Sequence, residues 1–104
     1  MENDIKKILD SLDEQQIAED TLGFINAKSE TGDEKKGCEY LINILERENL
    51  DVIVDEFIEK RPNIYTLLPG KNPKVGKTLM FNGHIDTIPI GKSDPPEIKN
   101  NMVI

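Results

Sequence analysis

All six prolines of this 104-residue chain lie at positions 62, 69, 73, 89, 95 and 96. Proline fixes φ and lacks a backbone donor, so it breaks helix interiors. The first sixty positions are therefore free to be helical, and the remainder is cut into short segments that suit strands and turns. Charge divides at the same place. Residues 1 to 60 carry 17 acidic and 7 basic side chains, and residues 61 to 104 carry 3 and 6. A net charge of -7 concentrated on the helical half argues against nucleic acid or an anionic membrane as partner, since both select clustered Lys and Arg. The acidic residues read as solvated helix faces.

Apolar spacing locates the helices. Ile5, Ile8, Leu9 and Leu12 recur with helical period, and Ile17, Ala18, Leu22, Phe24 and Ile25 form a second one-sided stripe, so one broken or two abutting helices are expected. Asp13, with Gln16 three residues on, has the form of a capping box for the second piece. Ser29 to Glu34 interrupts the pattern, and Thr31 with Glu34 forms a second capping-box signature. The helix it opens has Cys38, Leu41, Ile42 and Leu45 on its core face. It is expected to stop near Asn49, a residue that tolerates the left-handed conformation. Three strands are expected next: Asp51 to Ile58, Ile64 to Leu68 and Thr78 to Phe81. Arg61-Pro62-Asn63 and Pro69 to Pro73 separate them. The third runs Leu79-Met80-Phe81 without alternation, as in a strand covered on both faces.

Length fits a single unit or a piece of one. No more than three apolar residues run together, whereas a membrane span needs about 20. The N-terminus lacks a signal-peptide core, and the single cysteine cannot form an internal disulfide. A soluble, cytoplasmic protein is the expectation. Cys38 itself reads as a packing residue, because a reactive thiol needs exposure.

Two segments could carry chemistry. Gly70 to Thr78 resembles a phosphate-binding loop but places five residues between its glycines where that loop has four, and a strand is expected after it where a helix is needed. Nucleotide binding there is a weak alternative to a solvated turn carrying Lys71, Lys74 and Lys77. The second segment is Asn82-Gly83-His84-Ile85-Asp86-Thr87-Ile88-Pro89, at the carboxyl end of the expected third strand, where sheets flanked by helices bind ligands. His84 and Asp86 are two apart, so in extended backbone both leave from one face. A neutral imidazole ligates metals, and a carboxylate beside it can fix its tautomer. Taken alone, a His-x-Asp pair is more often a hydrogen-bonded loop histidine. No second histidine exists, and zinc takes three or four protein ligands.

The ordered string of segments resembles the start of the zinc-peptidase family that includes acetylornithine deacetylase, succinyl-diaminopimelate desuccinylase, aminoacylase and glutamate carboxypeptidase. The turn from Ser29 to Glu34, the second helix, the strand, Arg61-Pro62-Asn63, and Gly83, His84, Asp86 and Pro89 follow its order from about residue 15 to the end. The resemblance implies the N-terminal portion of a three-layer α/β/α catalytic domain over residues 1 to 104, with two to three helices and then three or more strands. It implies hydrolysis of an amide or peptide bond in a small substrate, with His84 ligating one of two bridged metal ions and Asp86 in a catalytic role assisting that site. Zinc is the implied metal, with cobalt or manganese as substitutes. A zinc pair activates water for attack on an amide carbonyl. The chain departs from the family by ending before the Gly-Arg-Gly-x-x-Asp-x-Lys motif, the Glu-Glu pair, the later acidic and histidine ligands and the dimerisation domain. The fragment is accordingly expected to be inactive by itself and the complete enzyme to be a homodimer. Set against this is a non-catalytic interaction module built on the same fold.

Overall fold

The computed structural model describes residues 1–72 and 74–104, and divides into two units, Met1–Asn26 with Asp94–Ile104, and Ala27–Ser93. In the first unit the apolar stripes form two helices, α1 (Glu2–Asp10) and α2 (Glu14–Asn26). They are separate because Asp13 starts α2: its Oδ1 accepts the Gln16 N–H at 3.0 Å, and its carbonyl accepts the Ile17 N–H at 3.0 Å. That supplies one of the donors that every helix start leaves open. The other half of the expected box does not form, since the Gln16 amide donates forward to Asp20 at 3.1 Å. Ala18 is buried and Leu22 and Phe24 are half-buried on α2, whereas Ile5, Ile8, Leu9 and Leu12 remain 53–63% exposed.

A short hairpin that the sequence reading did not anticipate packs on α2. Its strands are β3 (Ile98–Lys99) and β4 (Met102–Val103), paired antiparallel and extended by two bonds between Glu97 and Ile104. Asn100 and Asn101, at φ 50 and 59, make the turn. Positive φ at both central residues is the signature of a type I′ hairpin, and asparagine is the residue after glycine that best accepts it.

The second unit is built on α3 (Lys35–Arg47) and the antiparallel pair β1 (Val52–Ile58) and β2 (Arg61–Thr66). α3 ends where Asn49 takes φ 58, and the Leu50 and Asn49 N–H groups bond back to the carbonyls of Leu45 and Glu46. Both bonds of a Schellman closure are thus present. On the core side of α3, Cys38 is 1% exposed, its thiol donates to the Pro62 carbonyl at 3.3 Å, and Leu41, Ile42 and Leu45 are half-buried. Burial and the nearby acidic groups raise the Cys38 pKa, so it is a packing residue, as its position on the stripe implied.

Two expectations for the strands are corrected. β2 begins at Arg61 and not at Ile64, so Arg61-Pro62-Asn63 belongs to the strand. The register slips between Asp55 and Ile58, where two residues of β1 face the single Pro62. A proline with no donor to give is tolerated in a strand at just such a bulge. The third expected strand does not form: among the described residues Thr78 to Phe81 has no strand partner, and Leu79, Met80 and Phe81 are 72–89% exposed. An apolar run without alternation suits a strand only where both of its faces can be covered, and a two-stranded sheet supplies no such cover. Among the described residues the architecture is therefore mixed α/β, three helices with small antiparallel sheets. Among the described residues no helix is long and apolar enough to cross a membrane.

One close approach fixes α3 against the segment before it. A methyl group at Gly37 would lie 2.6 Å from the Ser29 Cβ, an atom attached directly to backbone. Gly37→Ala is expected to lower stability by about 1–3 kcal/mol through overpacking, outweighing the ~1 kcal/mol that alanine gains in a helix. Chemical denaturation should show a lower midpoint for the variant, and an unchanged or raised midpoint would show that the contact relaxes freely.

Candidate functional site

The Ser29–Glu34 turn was expected to close a capping box. Each group of that box is used elsewhere. The Glu34 N–H, which the Thr31 hydroxyl would have received, donates to the Lys60 carbonyl at 2.9 Å. The Thr31 N–H, which the Glu34 carboxylate would have received, donates to the Thr87 carbonyl at 3.0 Å. The Glu34 carboxylate takes the Gly32 N–H at 3.0 Å and the Arg61 Nε–H at 3.1 and 3.2 Å, with a further guanidinium nitrogen at 3.0 Å. Glu34 is 4% exposed. The Gly32 N–H, the Arg61 hydrogen bond and the Arg61 charge hold its pKa below the ordinary 4.5 against the opposing effect of burial. Arg61 meets this one carboxylate. Lys60 at φ 65, in the turn between β1 and β2, puts its carbonyl on the Glu34 N–H.

With its backbone so occupied, the turn binds the His84 loop. The Thr87 N–H donates to the Ser29 carbonyl at 2.9 Å, which with the Thr31–Thr87 bond makes a parallel bridge centred on Glu30 and Thr87. The bridge brings the Thr31 hydroxyl to the Asp86 Oδ2 at 2.9 Å, with the Thr87 carbonyl at 3.2 Å as a second acceptor. On its other oxygen, Asp86 lies 2.8 Å from the His84 Nδ1, and the Asp86 carbonyl lies 3.1 Å from the same nitrogen. The pair read from the i, i+2 spacing is thus in contact. The Asp86 pKa is lowered, first by the Thr31 hydroxyl and next by His84.

This arrangement fixes a tautomer. Nδ1 faces an ionised carboxylate oxygen and a carbonyl oxygen, and both only accept, so Nδ1 carries the hydrogen and donates it. In the neutral imidazole the lone pair is then on Nε2, and His84 is 85% exposed, so that lone pair is open to an incoming electrophile or metal ion. Among the described residues, no three His, Cys, Asp or Glu side chains are grouped to hold a metal. Sequence reasoning found His84 and Asp86 and missed Thr31, whose signal was absorbed into the capping reading.

The other candidate, Gly70 to Thr78, includes Pro73, which lies outside the described residues. The Lys74 N–H bonds the Asn72 side chain at 3.2 Å, as in an Asx turn, and no helix follows in the described residues. A phosphate cradle needs that helix N-terminus. No family model, curated protein or solved structure matches the chain.

Glu34 and Asp86 both have folded-state pKa values below their unfolded ones, so the stability they contribute is complete above the ordinary carboxylate values of 4.5 and 3.8 and is lost as pH falls through the lowered ones. Glu34→Gln is expected to cost about 1.5–3 kcal/mol at pH 7, the range for a hydrogen bond to a charged group, and to flatten the acid side of the stability curve. Urea midpoints from pH 7 down to pH 3 check this. A variant curve parallel to the wild type would remove Glu34 from the acid transition.

Proposed function

We propose that the chain is the N-terminal part of a metal-dependent amidohydrolase or peptidase with a three-layer α/β/α catalytic domain, acting on an amide or peptide bond of a small substrate. The observation that supports it most is the His84–Asp86 pair at 2.8 Å, which puts the imidazole lone pair on the exposed nitrogen, as a metal-ligating histidine requires. The ordered resemblance from the Ser29–Glu34 turn through Gly83-His84-x-Asp86 supports it independently. In this reading His84 is a metal ligand, and Asp86 orients it. Zinc, with cobalt or manganese as substitutes, is the implied metal.

The donor set of this chain does not by itself fit a zinc pair. It offers one imidazole nitrogen and a carboxylate already engaged with that imidazole, where each ion wants three or four protein ligands. Catalysis is accordingly assigned to a longer polypeptide that supplies the remaining ligands, and the 104 residues alone are expected to be inactive. A second reading, a protein-interaction module, draws on the exposed apolar side chains Leu67, Leu68, Leu79, Met80 and Phe81. A monomeric, cooperative unfolding transition of the isolated chain would count against it.

The coding sequence past residue 104 is expected to continue into Gly-Arg-Gly-x-x-Asp, and His84→Ala in that complete enzyme is expected to reduce amide hydrolysis by at least two orders of magnitude, the scale of losing a group that fixes the metal. Activity of the alanine variant equal to wild type would remove His84 from the site.

A further inference from the structure

We propose that Thr31 is a positioning residue for the His84–Asp86 pair: its hydroxyl holds the Asp86 carboxylate in the rotation that keeps the hydrogen of His84 on Nδ1. Four observations carry this. The hydroxyl is 2.9 Å from Asp86 Oδ2 while His84 Nδ1 is 2.8 Å from Oδ1, so the two oxygens of one carboxylate are assigned to two different donors. The carboxylate torsion of an aspartate is soft and roughly two-fold, so nothing in Asp86 itself selects this rotation. Thr31 is itself fixed, because its N–H is bonded to the Thr87 carbonyl and Thr87 is bonded back to Ser29. Finally, the alternative acceptor for the hydroxyl, the Thr87 carbonyl, is farther at 3.2 Å and uncharged, so the ionised carboxylate is the stronger partner.

The geometry makes the chain of dependence one-directional. Ser29 is buried against Gly37 of α3 and anchors the Thr87 bridge, the bridge places Thr31, Thr31 rotates Asp86, and Asp86 sets the imidazole. Thr31 touches neither a reacting atom nor the exposed Nε2, and acts only through Asp86. Because the Asp86 carbonyl at 3.1 Å is a second acceptor for Nδ1, loss of the hydroxyl is expected to weaken the tautomer preference and not to abolish it.

The consequence for catalysis rests on the metallohydrolase reading, but the positioning role does not, and the test separates them. Nitrogen chemical shifts of the His84 imidazole are measured on the metal-free 104-residue chain, at a pH above which they no longer change. Wild type is expected to show a protonated Nδ1 and a bare Nε2. Thr31→Val, which keeps the shape and removes the hydroxyl, is expected to move the two nitrogen shifts toward each other. Thr31→Ser is expected to restore the wild-type pattern. A Val variant with wild-type shifts, or a Ser variant that behaves like Val, would overturn the proposal. So would a wild-type ring with its hydrogen on Nε2, a result that needs no variant and stands even if Thr31→Val does not fold. Since no metal or substrate is present, none of these outcomes depends on whether the complete enzyme hydrolyses amides.

Discussion

The contact on which the Ala27–Ser93 unit depends is the buried Glu34 carboxylate. It joins three segments at once: the Gly32 N–H of its own turn, the Arg61 guanidinium at the start of β2, and, through its backbone N–H, the Lys60 carbonyl between β1 and β2. A carboxylate this buried is tolerable only when its lone pairs are met by donors, and here a backbone amide and a half-exposed guanidinium meet them. Removing either partner leaves a charge in a place from which water is largely excluded. Apolar burial in this unit is small, with Cys38 its one buried hydrophobic side chain among the described residues, so polar contacts do a larger share of the ordering than in a protein with a full core.

Glu34 also frees the turn for other use. In a capping box the Thr31 hydroxyl and the Glu34 carboxylate close on the first turn of the helix, and both are consumed there. In this chain α3 begins at Lys35 without a side-chain cap, and the same two groups reach outward to Asp86 and to Arg61. The local cost of an uncapped helix start is about 1 kcal/mol, which long-range hydrogen bonds and a charged pair can offset.

What was legible in the sequence follows the range of the interactions. Helix periodicity, the Asp13 cap and the left-handed Asn49 are set within four or five residues, and each is found where the spacing put it. The His84–Asp86 contact is also local, since extended backbone brings i and i+2 to one side. The bulge opposite Pro62 and the Asn100-Asn101 turn have local signals in the sequence too, in the donorless proline and in two adjacent asparagines between short apolar segments. Thr31 was beyond reach of such reasoning, because its partner lies 55 residues away and only the bridge to Thr87 brings them together.

The expected third strand is a second place, after the capping box, where pattern and structure part on a point that bears on the site. Reading Leu79-Met80-Phe81 as a covered strand made the strand end the platform for His84, in the manner of sheets that bind ligands at their carboxyl edge. The segment is exposed and belongs to no strand, so it gives the loop no rigid base. The platform is instead on the far side of the loop, in the Ser29–Thr31 segment clamped against Gly37 and tied through Thr87. The tautomer of this exposed imidazole is favoured by the two acceptors of its bound nitrogen, and most where both are fixed. Here one acceptor is the carboxylate held by Thr31, and the other is the carbonyl of the residue next to the bridge. The order of the site therefore comes from backbone pairing between two loops, with α3 behind them, and a sheet beneath His84 is not needed for it.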